Sequence, residues 1–416
     1  MTPPLNSVFQ RDRVLAAVVI GAGQAGLSAA FHLRRRGLVA GADFVVLDSN
    51  AGPGGAWRHR WDSLTFGRAH AIHDLPGLPL GIPDPAEPAR EVVARYYGEY
   101  ERANELRVVR PVAVENVHFA DGVFVVETSR GVLRARTIIN ATGTWESPYV
   151  PYYPGIDQFR GPQLHTKNYR AAADFAGKRV LVVGGGTSAL QFLQDLSASG
   201  VETVLATRRT LQWTRQTFDD EWGLNVERSV ARRVQAGLAP LSVSAVTGVG
   251  LTNYYVPDIT AGLLISRGKL VRLTADGAVL DGPGPQGVAV PDQGLANDYV
   301  RDENIAPLPG HATADGFWEV PVDAVLWATG FRANVRHLAG LELREAGGGI
   351  QLGKDNSTAV KQPGLFMAGY GSSASTLGAT RAGHRAARGV TRYLDAAEVK
   401  ANAVRVPADT TRVSAR

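Results

Sequence analysis

The 416-residue chain is 44% hydrophobic and 20% charged, a globular composition long enough for two domains and far from that of a disordered polymer. It contains no cysteine, which excludes redox dithiols, thiolate nucleophiles, iron–sulfur clusters and cysteine-ligated zinc. The net charge of +5 rests on arginine, with lysine only at Lys167, Lys178, Lys269, Lys354, Lys361 and Lys400; without interleaved aromatics or a nucleic-acid module it implies no nucleic-acid partner.

Val14 to Ile20 is a continuous apolar run of the kind that forms a buried parallel strand. It leads into Gly21-Ala22-Gly23-Gln24-Ala25-Gly26, a helical stretch through Leu33, and a second buried strand, Phe44 to Leu47, that ends in Asp48. This is a complete strand–GxGxxG–helix–strand–acid unit. Gly21 makes the tight turn, Gly23 lets a pyrophosphate approach, Gly26 allows close helix–strand packing, and Asp48 is placed to accept from a ribose diol.

The pattern returns at Arg179 to Val183, followed by Gly184-Gly185-Gly186-Thr187-Ser188-Ala189 and a helix through Leu196. Its second strand, Val201 to Ala206, ends in Thr207-Arg208-Arg209 rather than an acid. A guanidinium there can bind a ribose 2′-phosphate, which points to NADPH over NADH, through Arg208 or Arg209. Two strands run into small-residue turns, Ala141-Thr142-Gly143 and Ala328-Thr329-Gly330, and bracket the second unit. The expected architecture is therefore α/β with two Rossmann-like domains, the NADPH domain inserted into the FAD domain: residues 1–168 and 321–416 for FAD, 169–320 for NADPH. Between Leu211 and Pro309 the pattern weakens, with a partly helical Trp213–Val246, a partly extended Leu264–Val279 and a Gly/Pro-rich excursion over 282–294. Near the end, Pro363 to Gly369 reads as a short buried strand ending in glycine, before a helix from Thr376 to Leu394 and a frayed tail after Val399. Two cofactors that meet imply hydride transfer from nicotinamide to flavin.

Between the two units lies Phe159-Arg160-Gly161-Pro162-Gln163-Leu164-His165-Thr166-Lys167-Asn168-Tyr169. With both glycine motifs and both Ala-Thr-Gly turns, this resembles the FxGxxxHxxxY/F/W fingerprint of class B flavoprotein monooxygenases, the group of flavin-containing, YUCCA and Baeyer–Villiger monooxygenases. Gly54-Gly55-Ala56-Trp57 through Asp62-Ser63-Leu64 resembles the segment that approaches the flavin, with Gly55 and Trp57 as contacts. Asp323 before the second turn resembles the family's DxxxxATG. The resemblance implies FAD and NADPH as cofactors. It also implies O2 and a small organic molecule as substrates, a C4a-hydroperoxyflavin as oxygen donor, and a homodimer as the family-level expectation. His165 would then belong to the domain crossing rather than act as a base. Tyr169 stands where Baeyer–Villiger enzymes carry Trp, which favours oxygenation at nitrogen or sulfur; a Baeyer–Villiger enzyme, an NADPH oxidase and a non-catalytic dinucleotide sensor are the alternatives. No catalytic side chain stands out. Asp62 and Ser63 occupy the neighbourhood where many members place an Asn, and His70 and His73 lie on a segment expected to border the substrate. No metal site, no apolar run of ~18–20 residues and no signal-type leader are visible, so a cytoplasmic protein without membrane contact is expected.

Overall fold

In the computed structural model, which describes residues 9, 13–69, 72–215, 220–241, 248–282 and 292–405, the apolar runs become parallel strands covered on both faces. β1 (Val14–Ile20) leads through the first glycine turn into α1 (Gln24–Arg35) and back to β2 (Phe44–Leu47). α2 (Ala89–Ala103) then brings in the short edge strand β3 (Val108–Val109). β4 (Val114–Ala120), β5 (Val123–Thr128) and β6 (Gly131–Asn140) form an antiparallel meander, and β6 swings in beside β1. The order is β3-β2-β1-β6-β5-β4, with parallel pairing on one side and antiparallel on the other. Register sets the site. Ile20 lies beside Leu47 and Asn140, so Gly21, Asp48 and Ala141 emerge together at one sheet edge.

The second sheet repeats the plan. β7 (Gln163–His165), β8 (Arg179–Val183) with α3 (Thr187–Ala198), and β9 (Glu202–Ala206) come first in sequence. The chain continues through β10 (Trp213–Thr214), α4 (Asp220–Gln235), β11 (Val249–Gly250) and α5 (Val256–Thr260). Next comes an antiparallel sheet, β12 (Leu270–Leu273), β13 (Gly277–Leu280), β14 (His311–Ala312) and β15 (Trp318–Pro321), in the order β12-β13-β15-β14. β16 (Ala324–Trp327) then inserts between β7 and β8, giving β7-β16-β8-β9. Val183 lies beside Trp327 and Ala206, and Trp327 beside His165, so Gly184, Ala328, Thr207 and Thr166 share an edge as the first set do.

β17 (Leu365–Met367) returns to the first sheet and pairs with the C-terminal half of β6, whose N-terminal half is already paired with β5. α6 (Thr376–Arg405) follows and packs along α1, longer than its apolar pattern predicts because its distal part is largely exposed. Gly383 makes the close approach possible: a Cβ there would lie 2.6 Å from both the Ala25 carbonyl oxygen and the Ala29 nitrogen. Among the described residues no helix is long and apolar enough to cross a membrane. The expected surface excursion over 282–294 falls mostly on residues outside the described set, as does His70.

Candidate active site

Each glycine turn is built by the same steric device. A Cβ on Gly21 would lie 2.5 Å from the Ala141 carbonyl oxygen, and one on Gly184 would lie 2.3 Å from that of Ala328. Both also need positive φ, +100° and +147°, which only glycine adopts cheaply. Each Ala-Thr-Gly turn is thus the wall against which its glycine turn closes. A Cβ on Gly26 would lie 1.8 Å from the Gly21 carbonyl oxygen, which fixes how tightly α1 sits on β1. At Gly23, by contrast, a Cβ meets nothing within 4 Å. That open space lies before the N-terminus of α1, where Gly23 offers no side-chain cap and the first N–H groups stay available. Gly186 leaves α3 uncapped in the same way, ahead of Thr187, Ser188 and Ala189. Uncapped N–H groups and the positive end of a helix dipole fit a pyrophosphate at each site, with an open glycine as well at the first.

Around the first cradle, Gln24 and Ala25 are buried. The Gln24 amide donates to Thr380 Oγ1 (3.0 Å) and to the His73 carbonyl (3.1 Å), and its oxygen accepts from Tyr97 (3.1 Å). Asp48 is buried as well, accepting from the Asn50 backbone and side chain at 3.0 Å and from Arg110 at 3.3 Å. Arg110 is held in turn by both oxygens of Glu101 at 2.6 Å. Sequence reading missed Arg110, because a lone Arg before a proline carries no signal of its partner 62 residues earlier. Gly55 presses on the first glycine turn, its would-be Cβ 2.9 Å from Gly23 Cα, and Trp57 packs between the cores of the two units. Gly369, at φ +75°, ends β17 beside Ala25.

The chain crosses between the units twice, and the crossings are paired. Tyr149 N–H donates to the Gly330 carbonyl (3.0 Å), Arg332 to Ser147 (2.8 Å) and Asn334 to Gly143 (2.9 Å). Thr142 Oγ1 donates to the Asn334 carbonyl (2.5 Å), and Thr329 Oγ1 to that of Tyr149. Behind Thr142 sits a buried pair, His337 Nε2–H to Asn140 Oδ1 at 2.7 Å; burial lowers the His337 pKa to about 4 and keeps the ring neutral. His165 fills the same junction. Its Nε2 contacts the Gly330 carbonyl (2.9 Å), its Nδ1 accepts from the Lys167 backbone (3.0 Å), and burial lowers its pKa. Both ring nitrogens are committed, so His165 fastens the crossing and has no lone pair for a reacting proton.

The remaining fingerprint residues are also packing elements. Phe159 is buried with Trp327 and Val325, Gly161 backs onto the Asp323 carbonyl at 2.3 Å from a would-be Cβ, and Tyr169 stacks on Phe175 and bonds Asp195 of α3. Asp323 caps the start of β8 through the Arg179 N–H (2.7 Å). Arg208 and Arg209 are exposed at the end of β9, where a 2′-phosphate would arrive, and Arg208 is close enough to Tyr153 to act on its titration. Asp62 and Ser63 are exposed, and Asp62 is paired with Arg90 of α2 at 2.7 Å. Neither is drawn into the junction.

Two glycine-turn cradles on sheets joined by paired crossings are the arrangement of a two-dinucleotide fold. The sequence pattern of the pyridine nucleotide-disulphide oxidoreductase family matches residues 18–247. A flavin-containing monooxygenase from Stenotrophomonas maltophilia superposes with a TM-score of 0.70 at 30% identity, over 91% of this chain and 98% of that one. The rice indole-3-pyruvate monooxygenase YUCCA1 is 35% identical over 202 residues, 48% of this chain and 49% of its own length. A Streptomyces coelicolor Baeyer–Villiger monooxygenase is 32% identical over 215 residues, 48% of this chain and 39% of its own. The chain spans about half the length of the curated relatives it matches. It belongs to the pyridine nucleotide-disulphide oxidoreductase family and, within it, to the class B flavin monooxygenases, which use FAD and NADPH.

Proposed function

We propose that the protein is an NADPH-dependent monooxygenase that places one atom of O2 on the nitrogen or sulfur of a small organic substrate. The observation that carries this reading is the pair of uncapped helix N-termini, α1 behind open Gly23 and α3 behind Gly186, on sheets whose crossings are bonded to each other. FAD held in the first cradle would supply hydride acceptance from NADPH and activation of O2. The chain's own work is positional. Gly23 and the first N–H groups of α1 would hold one pyrophosphate, and Asp48, fixed by Arg110 and Asn50, would accept from the adjoining ribose. Thr187, Ser188 and Ala189 hold the other, and Arg208 or Arg209 takes the 2′-phosphate. Trp57, Trp145 and Phe331 wall the junction with apolar surface and exclude water that would divert oxygen to hydrogen peroxide. Tyr169, in the place of a Baeyer–Villiger tryptophan, supports heteroatom over ketone chemistry. The same reading carries a cytoplasmic homodimer, tested by light scattering of the purified protein.

The deciding experiment purifies the chain, confirms a yellow 1:1 FAD complex, and follows anaerobic bleaching by NADPH and NADH before oxygen is admitted with an amine, a sulfide or a ketone. Bleaching by NADPH, then NADPH oxidation coupled to oxygenated amine or sulfide, is expected. A colourless protein that refuses FAD overturns the reading, and peroxide release unchanged by every substrate reduces it to an oxidase. Arg208→Ala together with Arg209→Ala should raise KM for NADPH about tenfold or more while sparing NADH, since a lost charge-assisted phosphate contact is worth about 1.5–3 kcal/mol; equal effects on both overturn the phosphate assignment.

A further inference from the structure

Arg60 lies between the GGxW segment and the domain crossing, caged by three tryptophans. Its guanidinium carbon is 4.8 Å from the Trp145 ring centroid, 5.6 Å from Trp57 and 6.0 Å from Trp61. Trp145 stacks in turn on His59 (5.9 Å, 12°) and on Phe331 (5.0 Å, 23°), and His165 meets Phe331 edge-on at 4.8 Å. The cage therefore touches both crossings between the units. Among the described residues no carboxylate pairs with Arg60, and its buried Nε has no hydrogen-bond partner. Burial alone lowers its pKa, to about 10, with no acid acting in the opposite sense. Aromatic faces attract a cation but do not replace its lost hydration. The surroundings are basic too. His59, beside Arg60, feels Glu146 on one side and Arg58, Lys167 and Arg170 on the other. Lys167 is paired with Glu146, while Arg58 and Arg170 are held by backbone carbonyls.

A half-buried guanidinium, walled by rings, with its enclosed Nε unpartnered and no anion of its own, is built to receive one. We propose that Arg60 is an oxyanion-recognition residue at the junction, taking a carboxylate or phosphate of an arriving small molecule. The inference rests on the reading of this junction as the place where cofactor and substrate meet. Two sources carry that chemistry: the carboxylate of an organic acid substrate, or a phosphate of the nicotinamide cofactor. Neutral ligands gain nothing from the cage.

The test titrates the FAD-loaded enzyme with NADP+, with phenylacetate and with the neutral phenylacetamide, reading tryptophan fluorescence, to which the three cage tryptophans contribute. Wild type, Arg60→Met and Arg60→Lys are compared. At least one of the two anions should bind about ten- to a hundredfold more weakly to Arg60→Met, the span expected for a charge-assisted hydrogen bond, with phenylacetamide unaffected. Loss confined to phenylacetate assigns the site to the substrate, and loss confined to NADP+ assigns it to the cofactor. Arg60→Lys keeps the charge without the planar fork and should weaken the same anion about threefold or more; it answers the question if Arg60→Met fails to fold. Unchanged affinities for both anions in the variant that folds, or no binding of either anion by wild type, overturn the proposal. A yellow, NADPH-bleachable protein with that outcome leaves the proposed function standing while this inference falls.

Discussion

Gly26 has no room for a methyl group, because the carbonyl oxygen of Gly21 fills the place where its Cβ would be. Gly26→Ala must push α1 off β1, at a cost of about 1–3 kcal/mol or more for overpacking. The expected result is a lower melting temperature and purified protein depleted of FAD by absorbance; full flavin content would contradict the role given to this glycine. A pH effect arises at His337. Its folded pKa lies near 4, below the ordinary 6.5, so the unfolded chain binds the extra proton between those values. Stability is therefore complete above about pH 6.5, falls as pH drops toward 4, and loses up to about 3 kcal/mol from this group. His32, lowered to about 4 first by burial and then by His384, Arg36 and Arg35, acts in the same direction. His337→Gln keeps a donor for Asn140 without the titration. Its melting temperature should fall less than that of wild type between pH 7.5 and pH 5, and parallel losses would remove His337 as a cause.

At the level of elements, α1 and α6 are held at backbone distance by Gly383, with Ser28 Oγ donating to the Thr380 carbonyl at 2.7 Å. Gly383→Val should lower stability by about 1–3 kcal/mol by overpacking, although removing glycine from an exposed helix normally stabilises it. A raised melting temperature would show that the helices separate without strain. The two nucleotide units were legible in sequence because β1, β2, β8 and β9 are buried on both faces, which forces unbroken apolar runs ending at glycine or a polar turn. The antiparallel sheet β12–β15 was legible only in part: β12 and most of β13 fall in the stretch read as partly extended, while β14 and β15 were not seen. Its strands have four residues or fewer, so no periodic signal accumulates. Arg60 was opaque for another reason: one wall of its cage, Trp145, lies 85 residues away and only the tertiary fold brings it there.

For the whole molecule, the paired crossings are the backbone link between the two units, and the cofactor geometry is expected to depend on them. Arg332→Pro deletes the N–H that bonds Ser147 while leaving both glycine turns intact. FAD content and NADP+ affinity should be preserved, whereas flavin bleaching at saturating NADPH should slow by about ten- to a hundredfold, the usual penalty for a misplacement near 1 Å. Bleaching at the wild-type rate would mean that the paired crossings do not set the cofactor geometry.

The strand β17, which takes over the second half of β6, carries an implication for how the protein comes into being. Everything needed for the β7-β16-β8-β9 sheet has been made by Trp327, whereas the first sheet waits for residues 365–367, further along the chain. Long-range pairing of this kind is slow, and domains emerging early fold early. The later-encoded dinucleotide unit is therefore expected to complete its sheet first, and the N-terminal unit, begun earliest, last.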